Sequence, residues 1–170
     1  KLKTLEKMKK EMLSIMSCVM MMTSAYAQEI KNGDFESGDL TSWNVWEKKD
    51  NKIVDAKKAH SGNYAVEVKV GMWQAVNISY ETGAEYQISA YTKYSWGDKP
   101  NFRIEYYNPD SKKLEEIATA EVKKDRKNYN LTTVKFKLQE NGFVYRFTAV
   151  PGSGNGGCFL LDDVKIEKVK

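Results

Sequence analysis

Two carboxylates stand on either side of a single phenylalanine in the stretch NGDFESGDLTSWNVWE, which covers residues 32–47. They are Asp34 and Glu36 around Phe35, and two tryptophans follow within a few residues. Such acids are either solvated charges at the ends of strands or groups that coordinate something. The structure that the rest of the chain builds around them decides between these two interpretations.

Composition excludes several other kinds of reactive site. The chain has one histidine, His60, and two cysteines, Cys18 and Cys158. This excludes His- or Cys-rich zinc sites and argues against a Cys–His nucleophile pair. The glycine-rich stretch 151–157 lacks the Gly-Lys-Ser/Thr ending and the following helix of a phosphate-binding loop, so we interpret it as a hairpin connection.

The first 27 residues have the pattern of a bacterial secretory signal peptide preceded by a few upstream residues. With Met8 as the start, two lysines precede a short apolar run and an Ala-x-Ala motif that ends at Ala27. The apolar run is too short to span a membrane as a helix. We predict cleavage after Ala27 in preference to lipoprotein processing at Cys18. The mature part, residues 28–170, is then a single domain that is secreted or held at the cell surface.

Net charge gives no support for a nucleic-acid partner. The whole chain carries 27 basic and 23 acidic residues, a formal charge of +4. Residues 1–27, the upstream residues together with the predicted signal peptide, contain five lysines and two glutamates, so the mature domain is close to neutral. Nucleic-acid-binding domains need a clustered basic surface. We therefore expect no nucleic-acid partner and, once the signal is removed, no membrane partner.

Alternation of apolar and polar residues dominates the mature chain. Six segments show it, at positions 64–70, 86–93, 102–107, 134–139, 143–148 and 163–167. A period of two indicates half-buried antiparallel strands, and clusters of Asn, Gly, Pro and Asp between them indicate turns. Lys112–Ala120 is the one candidate helix. The pattern predicts an all-β fold, an antiparallel β-sandwich of the jelly-roll kind.

One side of the predicted sandwich combines aromatic rings with planar polar groups. The alternation places Ile88, Ala90, Ile104, Tyr106, Tyr145 and Phe147 inward. The outward candidates are Trp73, Asn77, Gln87, Tyr91, Arg103, Glu105, Tyr107 and Arg146, and Trp96 lies in a following loop. Pyranose rings bury C–H patches against flat aromatics and hydrogen-bond through their hydroxyls. We expect the eight outward residues to share one face and, together with Trp96, to contact a sugar ligand.

Four short motifs are informative through their order and spacing along the chain. They are Asn32–Glu36 followed by Trp43, Ala59–Val66, Gly83–Tyr91 and Phe159–Val164. Together they resemble the carbohydrate-binding modules of the family 4, 9, 16 and 22 type, which share a galactose-binding-like jelly roll. The resemblance covers residues 30–168. It implies a sugar-binding cleft along the concave sheet and a packing role for Trp43.

The resemblance also implies a use for the acids. In such modules a carboxylate of the N-terminal motif and one of the C-terminal Asp-Asp pair commonly meet at a structural calcium ion, which prefers six to eight hard oxygen ligands. Carried over to this chain, the ligands are Glu36 and Asp162, with Asp34, Ser61 and Asp163 as further candidates. Solvated acids with no bound ion are the competing interpretation.

These observations predict non-catalytic binding of a polysaccharide. By analogy we favour a β-linked plant cell-wall glycan, xylan or β-glucan, bound by a monomer that is a stand-alone binder or part of a longer glycan-degrading protein. One alternative is a jelly-roll polysaccharide lyase or hydrolase, in which Arg103, Glu105, Tyr107 and Arg146 act on a uronate polymer. A second is a cell-surface adhesion or assembly module whose aromatic residues face protein.

Overall fold

The computed structural model describes residues 30–47, 50–76, 78, 81–139, 144–152 and 156–170. The predicted signal peptide and Asn77 lie outside these residues, so their predictions stay predictions. Within the described part of the chain, no helix is long and apolar enough to cross a membrane.

Ten strands account for the regular structure of the described residues. They are β1 (Asn44–Val45), β2 (Lys52–Asp55), β3 (Tyr64–Val68), β4 (Met72–Val76), β5 (Glu85–Gly97), β6 (Asn101–Asn108), β7 (Lys113–Glu121), β8 (Asn130–Lys137), β9 (Tyr145–Val150) and β10 (Gly157–Lys168). Every recorded pairing is antiparallel. The predicted all-β, antiparallel fold is confirmed.

The strands form two five-stranded sheets. The front sheet has the order β1-β4-β9-β6-β7, and the back sheet has the order β2-β3-β10-β5-β8. Neighbours within each sheet are mostly distant in sequence, as expected of a jelly-roll sandwich. Two stacked antiparallel sheets bury their facing sides and leave their outer sides to solvent, which makes the two outer faces the places to look for a site.

The core lies between the sheets and follows the alternation of the sequence. Ile88, Ala90, Ile104 and Phe147 are fully buried, and Tyr106 and Tyr145 are nearly so. The inward register predicted for these six residues is therefore confirmed. Trp43 is also buried, since it stacks on Phe35 and donates its indole N–H to the Asn32 oxygen at 3.0 Å.

Two local predictions were wrong. Lys112–Ala120, the candidate helix, forms most of the edge strand β7. The side chain of Asn108 accepts hydrogen bonds from the backbone N–H groups of Asp110 and Ser111, which closes a tight turn and sends the chain back along β6. Trp96 lies in a strand and not in a loop, because β5 continues past an irregularity opposite Cys158 and Phe159.

The first described residues pack against the last strand. The backbone N–H of Val164 donates to the Gly33 oxygen at 2.8 Å, and a Cβ added to Gly33 would collide with the Val164 oxygen. Lys31 is held through its backbone by both polar ends of the buried Gln74 side chain. The N-terminal motif is thereby fixed beside the Asp162-Asp163 pair, as a shared site at this junction requires.

The connection between β7 and β8 is closed by Asp125. Its carboxylate accepts hydrogen bonds from the backbone N–H groups of Lys127 at 2.8 Å and Asn128 at 3.1 Å. These donors stabilise the charged form and lower the pKa of Asp125 to about 2. The same loop carries Tyr129, whose hydroxyl donates to the Lys58 oxygen at 2.6 Å and so ties the loop to residues of the back face.

Asp125 should therefore titrate well below the ordinary aspartate value of 3.8. Because its pKa is depressed in the folded state, the contribution to stability is complete above the unfolded value and is lost as the pH falls through the folded one. NMR titration of the carboxyl carbons gives the midpoint directly. A midpoint at the ordinary value would show that the two backbone hydrogen bonds do not persist in solution.

Candidate functional site

The outer face of the front sheet carries a continuous row of side chains across five strands. The row runs Asn44, Trp73, Thr148, Arg103, Thr119, each residue being the register partner of the next. A second row beside it runs Ala75, Arg146, Glu105, Glu116. Side chains alternate between the faces of a sheet, so these residues all point away from the core.

Trp73 and Arg146 form the contact that links the two rows. The guanidinium carbon of Arg146 lies 5.2 Å from the centre of the Trp73 ring, within the range of a cation–π interaction. Trp73 remains partly exposed on its edge of the sheet. An aromatic ring held by a neighbouring cation is a fixed and flat apolar surface, which suits a sugar ring.

Glu105 lies at the centre of the second row and is only 5% exposed. One of its oxygens, Oε2, accepts hydrogen bonds from Arg146 Nε and from the Thr148 hydroxyl, both at 2.7 Å. Its other oxygen lies 2.9 Å from Arg103 Nε, in an ion pair whose N–H is not aimed well enough for a hydrogen bond. Both carboxylate oxygens are thus engaged by the protein, and Glu105 holds the two arginines.

A third row continues the face beyond Glu105. Tyr107 pairs with Leu114 across β6 and β7, and its backbone N–H donates to the Val144 oxygen. The three side chains are 47%, 45% and 64% exposed. The front face therefore places an apolar patch on one side of the arginine row and Trp73 on the other.

An open groove lies at the β1 edge of this face. It has a volume of about 630 Å³ and is lined by Leu40, Trp43, Asn44, Val45 and Trp73. Four of the five lining side chains are apolar, and the Asn44 amide is the polar one. The groove is continuous with the first row because Asn44 and Trp73 belong to both.

Three of the predicted sugar contacts lie away from the front face, and the expectation of a shared face was wrong for Gln87 and Tyr91. Gln87, Tyr91 and Trp96 belong to β5 and so lie in the back sheet, on the opposite side of the molecule from Arg103. Gln87 hydrogen-bonds Glu167 at 3.1 Å, Tyr91 stacks on His60, and Trp96 is 49% exposed beside Gly156. Alternation states which way a side chain points relative to its own strand, but not which sheet that strand joins.

Five of the nine proposed contacts therefore share the front face. They are Trp73, Arg103, Glu105, Tyr107 and Arg146. Sequence reasoning missed Thr148 and Glu116. Thr148 is fully buried and reads as an ordinary strand residue. Its outward parity, shared with Arg146, was the available signal. Glu116 was hidden because its segment was interpreted as a helix.

The acidic residues meet at the junction of the chain ends, on the back sheet. Asp162 is fully buried. Its Oδ2 accepts hydrogen bonds from the backbone N–H groups of His60 at 2.9 Å and Ser61 at 3.2 Å, and its Oδ1 accepts one from the N–H of Asp163. Burial, with a smaller contribution from the neighbouring charge of Asp163, raises the pKa of Asp162 above its ordinary value.

A β-bulge lets two consecutive acids serve this junction. The register of β10 against β5 shifts between Asp162 and Lys165, and Asp163 adopts a left-handed backbone with φ of 49°. Side chains of consecutive strand residues normally point to opposite faces. Here Asp163 Oδ2 also reaches the loop, where it contacts His60 Nδ1 at 2.7 Å and accepts from the Ser61 hydroxyl at 2.9 Å.

Glu36 approaches the same loop from the N-terminal motif. Its carboxylate accepts hydrogen bonds from the side chain and backbone of Asn63 and from the backbone N–H of Tyr64. These bonds lower the pKa of Glu36, which the charge of Asp163 opposes. Asp34 is exposed and accepts a weak hydrogen bond from the Glu36 N–H at 3.3 Å.

The oxygen atoms gathered at this loop are suitable ligands for a hard cation. The carboxylates of Asp162 and Asp163 meet the Ser61 hydroxyl in one cluster, and the Glu36 carboxylate lies on the adjoining residues Asn63 and Tyr64. All are oxygen ligands of the kind that calcium prefers. No lysine or arginine of the described residues forms an ion pair with the three acids, and His60 is the one basic side chain against them. A buried carboxylate next to other acids lacks the charge compensation that a cation supplies. Sequence reasoning did not assign a role to His60, which stacks on Tyr91, or to Tyr129, which meets the His60 ring edge-on.

Known proteins share this architecture. The CBM22-2 xylan-binding domain of Xyn10C from Paenibacillus barcinonensis is 18% identical, with a TM-score of 0.60 over 81% of this chain and 98% of that one. A family 16 carbohydrate binding module is 17% identical, with a TM-score of 0.62 over 80% and 96%. TmCBM61, solved with β-1,4-galactotriose, is 19% identical, with a TM-score of 0.55 over 83% and 98%. At these identities the likeness shows the fold alone.

Similarity in sequence identifies the family as well as the fold. No curated protein sequence matches the chain. The carbohydrate binding domain family CBM_4_9 matches residues 27–149, which include strands β1 to β8 and all but the last residue of β9. This match confirms the resemblance found in the four motifs. The chain belongs to the CBM_4_9 family of carbohydrate binding domains.

Proposed function

We propose that this domain binds a β-linked polysaccharide on the outer face of the front sheet and does not cleave it. The observation that carries the proposal is the arrangement of Trp73, Arg146 and Arg103 on adjacent strands. It combines an apolar ring with fixed hydrogen-bond donors on one open surface. Membership of a carbohydrate binding family supports a sugar as the ligand.

Trp73 supplies the apolar contact of the proposed site. Sugar rings expose flat patches of C–H that bury well against an indole, and the loss of water from both surfaces favours binding. Arginine presents several N–H donors in one plane. We propose that N–H groups of Arg103 and Arg146 other than those that contact Glu105 and Glu116 hydrogen-bond the sugar hydroxyls. The Trp73 ring and the two arginines need little reorganisation when the ligand binds, because Arg146 packs on Trp73 and Glu105 holds both arginines.

Glu105 acts as a positioning residue in this proposal. It is nearly enclosed, and its oxygens are occupied by Arg103, Arg146 and Thr148. A long arginine side chain loses rotamer freedom when it binds a ligand. Two arginines that share a buried carboxylate have already lost much of that freedom on folding. The sequence-based expectation that Glu105 contacts the sugar is thus replaced by a role through its neighbours.

The charge arrangement favours binding over catalysis. Hydrolysis of a glycosidic bond uses two carboxylates, one of which must give a proton to the leaving oxygen. Glu105 and Glu116 are register partners on the front face, but Arg103 contacts both. Arg103, Arg146 and Thr148 already contact both carboxylate oxygens of Glu105. We therefore rank a lyase or hydrolase second, and polysaccharide turnover would establish it.

The glycan class rests on similar proteins. The Paenibacillus domain is described as xylan-binding, and TmCBM61 holds a β-1,4-linked galactotriose. We propose xylan or β-glucan as the ligand of this chain. A protein-facing adhesion module is the third candidate, since Tyr107, Leu114 and Val144 form an exposed apolar patch. Competition by soluble sugar would separate a glycan ligand from a protein one.

We also propose a structural calcium ion at the acidic junction, held by Glu36, Asp162 and Asp163 with Ser61, and with Asp34 nearby. When bound, the ion supplies positive charge that links the N-terminal motif to the last strand. The chain's own residues bring Asp162 and Asp163 together at His60 and Ser61, and they hold Glu36 on Asn63 and Tyr64 of the same loop. Export by the predicted signal peptide, as a secreted or surface-held monomer, completes the proposal.

Trp73→Ala should weaken polysaccharide binding by about tenfold or more, because truncating a central aromatic contact commonly costs over about 1 kcal/mol. Affinity gel electrophoresis of residues 28–170 with a panel of xylans and β-glucans measures this as lost retardation. Trp73→Phe keeps a ring and should retain part of the binding. No retardation of the unmodified domain by any glycan would refute the proposed function.

Glu105→Gln should lower both the free energy of unfolding and the affinity. It removes the charge that two arginines share, and breaking such a pair in a nearly buried site costs about 1–3 kcal/mol. The matched control is Glu116→Gln on the same row, which is exposed and should cost about 1 kcal/mol or less.

Chemical denaturation and titration with the best polysaccharide provide the two measurements. If Glu105→Gln is destabilised but binds with unchanged affinity, Glu105 supports the fold alone and does not position the arginines.

Calcium should raise the melting temperature of the domain. An ion that binds only the folded state at about 100 times its dissociation constant adds about 2.7 kcal/mol. Thermal unfolding of chelator-stripped protein with and without added calcium measures the difference. Glu36→Gln should reduce it, whereas Asp39→Asn, an exposed acid of the same segment outside the cluster, should leave it unchanged. Identical unfolding curves for the unmodified domain would argue against the ion.

A further inference from the structure

The groove at the β1 edge has the features of a ligand subsite. Its volume of about 630 Å³ lies within the range of small-molecule sites. It is lined by the apolar side chains of Leu40, Trp43, Val45 and Trp73 and by the Asn44 amide, and polar and apolar atoms contribute about equally to its surface. Aromatic side chains combined with a few well-placed polar groups are common in such sites.

The contacts of Trp73 direct a ligand toward this groove. The guanidinium of Arg146 lies over the ring at 5.2 Å and covers part of the indole surface. The same indole lines the groove. A sugar that stacks on Trp73 must use the surface that Arg146 leaves open. A ligand can therefore reach the Trp73 ring from the groove, whereas Arg146 covers part of the ring on the side of the arginine row.

The floor of the groove is rigid. Trp43 is buried, stacks on Phe35 at 5.5 Å and meets the ring of Phe147 edge-on at 5.8 Å. Its indole N–H is fixed by the Asn32 oxygen at 3.0 Å. A preformed apolar surface loses little freedom when a ligand binds, which favours affinity.

Asn44 is the polar side chain of the groove. It is exposed and is the cross-strand partner of Trp73. Among the described residues, none hydrogen-bonds to its side-chain amide. An amide offers both donors and an acceptor, which matches the hydroxyl groups at the edge of a sugar ring that lies on Trp73.

The position of the groove limits what it holds. The front sheet ends at β1 in the described structure, so a polymer lying across the arginine row toward Trp73 comes to the margin of the sheet there. We propose that the groove is an end subsite that takes the terminal sugar units of the bound glycan, with Trp73 as the stacking surface and Asn44 as the residue that recognises their hydroxyls. This inference rests on the proposed function of the front face.

A length series of oligosaccharides tests the proposal. Calorimetric titration with β-1,4-linked xylo- and gluco-oligosaccharides, from the disaccharide to the hexasaccharide, should show affinity that rises with length and then levels off. Asn44→Trp fills the groove from its rim. It should lower the affinity of the longest oligomers by about tenfold and make the plateau appear at a shorter length. Asn44→Ala should cause a smaller loss, also confined to the longer oligomers.

Leu131→Trp is the matched control, because it adds the same ring at an exposed strand position on the back sheet. It should match the unmodified domain at every length. If Asn44→Trp has the length dependence of the unmodified domain, the groove is not a subsite, and the front-face proposal stands. An equal loss at all lengths also contradicts an end subsite. If the unmodified domain binds no oligosaccharide or polysaccharide, the front-face proposal fails together with this one.

Discussion

The front face depends on the hydrogen-bonded register of β4, β9 and β6. That register sets Trp73 opposite Thr148 and Arg146 opposite Glu105. A slip of one residue would turn every side chain of a strand to the other side. Trp73 would then enter the core, and Gln74, now buried against Lys31, would face solvent. The core residues between the sheets therefore determine the composition of the surface, because they leave one arrangement for the strands.

Two nearly buried carboxylates illustrate different solutions to the same electrostatic problem. Glu105 is compensated by two arginines and a threonine hydroxyl, so its charge is balanced by the protein itself. Asp162 receives backbone N–H groups but no cationic side chain from the described residues, and burial raises its pKa. The first arrangement orders the two arginines of the proposed ligand-binding surface. The second leaves negative charge at the junction of the chain ends, which is where the proposed calcium ion would act.

The back face serves a different purpose from the front. His60 stacks on Tyr91 with ring centres 3.5 Å apart, and Tyr129 meets the same imidazole edge-on. The hydroxyl of Tyr129 bonds the Lys58 oxygen. The loop around His60 is thus held against the back sheet by both aromatic contacts and the acids of β10. Residues covered in this way have less open surface for a glycan, which supports the front face as the site.

The sequence by itself determined the class of fold, the inward set of core residues and the family. These follow from period-two alternation and from short motifs, both of which are local properties of the chain. It also identified five residues of the front face, because parity along a strand is readable without coordinates. It failed for Lys112–Ala120, whose composition suits a helix as well as a strand and whose pairing with β6 depends on the Asn108 turn.

Tertiary structure alone decided which strands share a sheet. Gln87 and Tyr91 have the same outward parity as Arg103, yet β5 pairs with β10 and β8 in the other sheet. It also decided that Glu105 is enclosed, that Thr148 joins it, and that a bulge brings Asp162 and Asp163 to one loop. Each of these results from contacts between residues far apart in the chain, which neither periodicity nor spacing encodes.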